Sequence, residues 1–132
     1  MKRKAIKISE SADHKKAIYV DKQNAEKIYH YINQDKRHKN KFRHITHIIL
    51  EGLRNTELYD KEDIDKKSKG VTAMKFFKGQ ENDRIYCKEI TTENKTFVVI
   101  ACELHQKKKS KGISHKEKNI IHNVAEYEYE LE

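Results

Sequence analysis

Cysteine is nearly missing from this 132-residue chain: the only two, Cys87 and Cys102, lie inside apolar stretches and have no partner at metal-ligand spacing. That excludes a disulfide framework and predicts two reduced core thiols. Proline is absent and no segment repeats. No apolar run approaches the ~18 residues of a membrane helix, and the opening MKRKAIKISE lacks the apolar centre of a signal peptide. The expectation is a soluble, cytoplasmic protein with no membrane partner. At 36% apolar residues the chain can build one small core, so length and composition predict a single domain over 1–132.

What the chain has in quantity is positive charge. The formal net charge is +8 with 38% of residues charged, a balance that suits a nucleic acid, an anionic surface or an acidic protein. The first 48 residues alone carry net +8, whereas 49–104 carry net −1. HQKKKSKGISHKEKN, residues 105–119, holds six lysines and two histidines and follows the apolar FVVIA of 97–101 after three intervening residues. A solvated loop is the bland reading of Lys107, Lys108, Lys109 and Lys111; phosphate contact is the favoured one.

Periodicity divides the chain. KAIKI and KKAIYV in residues 1–20 read as short N-terminal strands. Over 21–54 the spacing predicts a helical hairpin: Ala25, Ile28, Tyr29 and Ile32 share one helical face, capped by Asp21 or Asn24, and Phe42, Ile45, Ile48, Ile49 and Leu53 share another, capped by Asn40. Residues 55–70 are polar and read as a loop. VTAMKFF, RIYCKEI and TFVVIACEL predict an antiparallel meander over 71–104, with Met74, Phe76, Ile85, Cys87, Val98, Ile100, Cys102 and Leu104 as its core. Ser-His-Lys-Glu at 114–117 reads as a capping box opening a helix over 114–131, with EYEYELE as its frayed end. The expected fold is α+β: the helical hairpin on one face of a small twisted antiparallel sheet, the other, basic face open, and a closing C-terminal helix.

VTAMKFFKGQENDRIYCKEI followed by FVVIACELHQKKKSKGISHKEKNIIHNVAEYEYEL resembles the RelE/HigB superfamily of bacterial toxins, in particular its phage-derived HigB-like branch, over about residues 40–131. The resemblance implies a RelE/ParE-like fold. It also implies the toxin of a type II toxin-antitoxin system, a ribosome-dependent endoribonuclease that cuts messenger RNA in the A site by metal-independent attack of the ribose 2′-hydroxyl. The implied partners are mRNA, the ribosome with its rRNA, and a cognate antitoxin protein, with no cofactor and no metal. It makes Lys75 the catalytic lysine and Arg84 the clamp on the scissile phosphate. His115 falls where relatives place a tyrosine or histidine, and His105, Lys107, Lys108 and Lys109 fall in their basic run. The second basic strand position of the family is Phe77 here, with Lys78 one step further.

The residues themselves agree in part. Such a cleavage needs a proton removed, charge on phosphorus stabilised and a leaving group protonated, work that lysine, arginine and histidine suit. His115, just after the serine cap, would feel the positive end of a helix dipole, which favours a neutral imidazole. Arg84, Tyr86 and Lys88 alternate on one strand face, so Lys88 joins the expected RNA-binding set with Lys78, His105 and the 107–111 lysines. His30, His44 and His47 read as helix surface. The alternative function is a non-catalytic basic module of the same fold, binding nucleic acid or a protein target as the ParE branch does.

Overall fold

The computed structural model describes residues 2–62, 64–77, 81–106 and 113–132. The chain opens with two strands, β1 (Arg3–Glu10) and β2 (Lys16–Asp21), and continues with helices α1 (Ala25–Ile32) and α2 (Lys36–Leu50). After β3 (Tyr59–Lys61) and a 3-10 turn (Lys66–Ser68) come β4 (Val71–Phe76), β5 (Asp83–Thr91) and β6 (Phe97–His105). Helix α3 (His115–Glu126) and β7 (Tyr129–Leu131) close the chain. All seven strands form one mixed sheet in the order β3-β4-β5-β6-β2-β1-β7.

This corrects the expected RelE/ParE-like fold, a small antiparallel sheet led by a helical hairpin. The N-terminal strands enter the sheet instead of lying outside it, and two of the pairings, β2 with β6 and β1 with β7, are parallel. The reason is visible in β2, where every residue from Ala17 to Asp21 is buried. A strand apolar on both faces must be covered on both, and a place between β6 and β1, with helices on either side of the sheet, supplies that cover.

The sheet is also covered on both faces, so the expected open basic face does not exist. Helices α1 and α2 bury Ala25, Ile28, Ile32, Ile45 and Ile49 against Met74, Phe76, Ile85, Cys87 and Val99. On the opposite face α3 buries Ile121 and Val124 against Ala73, Tyr86, Val98, Ile100 and Cys102. The eight expected core residues are all buried but divide between these two cores. A β-bulge accounts for part of that division. Cys87 pairs with Ala101 while Tyr86 pairs with Glu103, so Cys102 is an extra residue in β6 and the strand's alternation changes phase there.

Three local expectations change as well. Helix α2 starts at Asp35, whose carboxylate accepts from the His38 amide at 2.8 Å, five residues before Asn40. It ends at Gly52 (φ 69), where the Gly52 and Leu53 amides donate to the Ile49 and Ile48 carbonyls. This Schellman closure leaves Leu53 beyond the helix and 56% exposed. The polar stretch 55–70 contains β3 and the 3-10 turn instead of loop alone. EYEYELE is not a frayed helix: α3 stops at Glu126 and the tail becomes β7. Its strict alternation turns Tyr127, Tyr129 and Leu131 onto the α3-side core, while Glu128, Glu130 and Glu132 stay exposed. Glutamates opposing a helix C-terminal dipole favour that outcome. No helix among the described residues is long and apolar enough to cross a membrane.

Asp21, at zero exposure, accepts from Arg3 Nε at 2.6 Å, the Tyr129 hydroxyl at 2.6 Å and the Gln23 amide at 2.8 Å. Removing it leaves buried donors without an acceptor, so Asp21→Ala should lower stability by on the order of 3 kcal/mol. Tyr129→Phe should cost about 1 kcal/mol. Urea unfolding followed by far-UV circular dichroism measures both, and an Asp21→Ala protein within 1 kcal/mol of the parent, a margin far below about 3, would contradict the assignment.

Candidate functional site

Lys75, Arg84 and His105 stand in one row. Lys75 pairs with Arg84 across β4 and β5, and Arg84 pairs with His105 across β5 and β6. Residues directly opposite in a sheet share a face with Cβ atoms ~5 Å apart, so the three side chains leave the sheet side by side. The row belongs to the α3 face, since Ala73 and Tyr86, two residues along from Lys75 and Arg84, lie in the α3-side core. All three are partly exposed at the sheet end where β4 gives way to the hairpin into β5.

The surroundings of the row are more acidic than the sequence suggests. Arg84 Nε lies 3.6 Å from Glu62 Oε1, with side-chain exposures of 15% and 13%. Arg84 Nη1 is buried and makes no hydrogen bond among the described residues. Lys75 Nζ donates to the Thr56 carbonyl at 3.2 Å. Beneath the row the Tyr86 hydroxyl donates to Glu117, both groups fully buried. Burial first, and then the Glu117 carboxylate, pushes the Tyr86 phenol well above its usual range, which keeps it a donor.

That contact corrects the expected capping box. Ser114 Oγ does accept from the Glu117 amide at 3.1 Å, but the Glu117 carboxylate turns inward to Tyr86. A buried phenol needs a partner, and the first turn of a helix favours a carboxylate. The same contact lays the first turn of α3 over this end of the sheet. His115, its first residue, is exposed.

Lys88 has a different place from the RNA-binding one expected. Its ammonium donates to the Ala125 carbonyl at 2.9 Å and to the Tyr127 carbonyl, closing the C-terminal end of α3. The alternation of Arg84, Tyr86 and Lys88 therefore makes an interior that holds α3, not a basic aromatic surface. Lys78, Lys107, Lys108, Lys109 and Lys111 lie outside the described residues.

Two further features lie at this end of the sheet, one signalled by the net +8 of residues 1–48 and one without a sequence signal. Helix α2 contains no acidic residue in 15 positions, and Lys36, Arg37, Lys39 and Arg43 are exposed on it. Its first turn reaches the same end of the sheet, with the Arg37 guanidinium 3.5 Å from the Phe77 ring centre. The acid-free run KRHKNKFRH was available as a signal. The second is a group of metal-type ligands: His38, Glu81 and Asp83 hold ligating atoms within 4.8 Å of one another. A polar groove of about 650 Å³ between α1 and the end of β6 includes Lys27, His30 and Gln106 in its lining.

Compared with protein-family models, with curated proteins and with solved structures, the chain matches none.

The inward turn of Glu117 is open to a direct check. Ser114→Ala should cost about 1 kcal/mol as the loss of an N-cap. Tyr86→Phe should cost about 1 to 3 kcal/mol because it strands a buried carboxylate. Thermal unfolding of Tyr86→Phe, Glu117→Gln and the double variant should give non-additive losses; additive ones would show that the two side chains do not interact.

Proposed function

We propose that this chain is the toxin of a type II toxin-antitoxin system, an endoribonuclease that cleaves messenger RNA on the ribosome without a metal. The observation that carries the reading is the in-register row of Lys75, Arg84 and His105 across three strands. In such a reaction the 2′-hydroxyl attacks phosphorus, the 5′-oxygen leaves, and negative charge peaks on the phosphoryl oxygens between. A guanidinium between an ammonium and an imidazole fits that sequence: Arg84 and Lys75 stabilise the charge, while His105 and His115 exchange protons with the attacking and leaving oxygens. Glu62 orients Arg84 from its Nε edge. The exposed cations of α2, and the lysine-rich segment following His105, would draw the polyanion to this end of the molecule. The ribosomal setting and the antitoxin partner rest on the family resemblance alone.

One observation favours the second reading, a binding module without chemistry. Arg84 is only 15% exposed and already has a carboxylate neighbour, so a phosphate must displace part of its surroundings to reach it. The two readings separate in a translation reaction in which transition metals are removed with a selective chelator and Mg²⁺ is kept for the ribosome. Primer extension should show cuts in the A-site codon. Arg84→Ala should lower cleavage by ~10² to 10³-fold, as loss of one charge-stabilising donor does, while co-sedimentation with ribosomes persists. His105→Gln and His115→Gln keep hydrogen bonding but are far weaker proton acceptors, so a large loss marks the residue that moves the proton. Intact message at full ribosome occupancy by the parent protein would refute the nuclease and leave the binding module.

A further inference from the structure

We propose that His38, Glu81 and Asp83 bind one divalent transition-metal ion of the zinc type, joining the first turn of α2 to the hairpin between β4 and β5. The ligating atoms of the three residues lie within 4.8 Å of one another, so side-chain adjustments of about 1 Å bring them to the ~3.4 Å separations of a tetrahedral zinc shell. One imidazole and two carboxylates suit zinc and its neighbours better than magnesium or calcium, which favour all-oxygen shells.

The residues around these ligands behave as an outer shell. Asp35 Oδ1 sits 2.7 Å from His38 Nδ1, which occupies that nitrogen and leaves Nε2 for an ion. A carboxylate behind a histidine is the arrangement that fixes the tautomer and orientation of a metal-binding imidazole. The Tyr31 hydroxyl donates to Asp83 Oδ2 at 2.8 Å, holding that carboxylate in the same way. His38 and Asp83 are each 5% exposed, whereas Glu81 is at the surface. The site is thus closed on its inner side and has an entry path on the outer one.

The hairpin is built to keep Glu81 and Asp83 in position. Phe77 (φ 54) and Asn82 (φ 58) both adopt left-handed backbone, and the Asn82 amide approaches the Phe77 carbonyl at 3.4 Å. The Phe77 ring packs edge-on to His38, with centroids 4.9 Å apart, beneath the Arg37 guanidinium. Arg37 Nη1 also pairs with Glu81 at 3.2 Å. Binding would exchange the Arg37 partner of Glu81 for the ion. The site is independent of the RNA reading, since Asp83 and Arg84 leave β5 on opposite faces.

The test uses metal-stripped full-length protein and Zn²⁺ as the probe, titrated calorimetrically and against a chromophoric chelator. One ion per chain should bind with micromolar or tighter affinity, and Zn²⁺ should raise the melting temperature. Glu81→Gln, at an exposed position that does not threaten folding, should weaken binding at least about tenfold and remove the melting shift. Asp35→Asn keeps an N-cap but removes the carboxylate behind His38, and should weaken binding about 10 to 100-fold. The His44→Gln/His47→Gln double variant, which removes two exposed histidines of α2, should bind as the parent does. Absence of saturable binding, or binding that survives Glu81→Gln but is lost with His44 and His47, would overturn the proposal.

Discussion

Asp21 is the point through which the fold is joined. A carboxylate at zero exposure is tolerated only when its oxygens are saturated by donors, because a bare buried charge costs far more than any packing around it returns. Here the donors come from three directions: Arg3 from β1, Tyr129 from β7, and the Gln23 and Asn24 amides that lead into α1. The residue that ends the interior strand β2 therefore also fixes both strands on its outer side and the start of the first helix. The Tyr129 phenol is driven well above its ordinary range, first by burial and then by the neighbouring Cys102 thiol and Asp21 carboxylate, so it remains a donor across the physiological range.

From Asp21 the consequences run to the candidate site. The turn it holds places Asn24, whose side-chain amide donates to the Cys102 carbonyl at 2.7 Å. Cys102 is the bulged residue of β6, where a ladder loses its regular partners and a carbonyl needs another donor. Had β6 kept the register of Cys87 with Ala101, Leu104 would stand opposite Arg84 and His105 would turn away. The one-residue shift exchanges them, so Leu104 enters the core under α1 and α2 while His105 joins Lys75 and Arg84. The row is a product of the bulge.

The sequence shows local pattern well and distant partners poorly, and the candidate site depends on the latter. The apolar runs of β4, β5 and β6 and the stripe of α3 are readable because each declares its own period. Nothing local says that KAIYV at 16–20 pairs with a strand some 80 residues later, or that a polar capping residue such as Glu117 has a phenol beneath it. Asp35 and Asn40 are both good cap residues, and the choice between them is made by His38, which packs inward only if the helix starts early. EYEYELE combines a helix-following position with strand alternation, and the alternation wins because β1 offers an open edge and the core accepts the tyrosines. Arg84 was legible as a functional candidate; Glu62 beside it was not, because its side of the pairing lies in a stretch without a clear period.

The distribution of cations separates the charge that builds the molecule from the charge that can attract a partner. Arg3 serves Asp21, Lys88 closes α3, and Arg84 sits against Glu62, so three of the basic residues nearest the sheet are engaged within it. Such partly buried contacts are little affected by salt, because counterions cannot approach them. The cations of α2 are different. Lys36, Lys39 and Arg43 are exposed on a helix that has no acid of its own, and their field extends into solvent and weakens with ionic strength. Under the proposed function, the helix would gather the polyanion and the sheet row would act on it. Between the two stands the hairpin of Phe77 and Asn82, which carries Asp83 toward α2 and Arg84 toward α3, so any change in its backbone is felt on both faces at once.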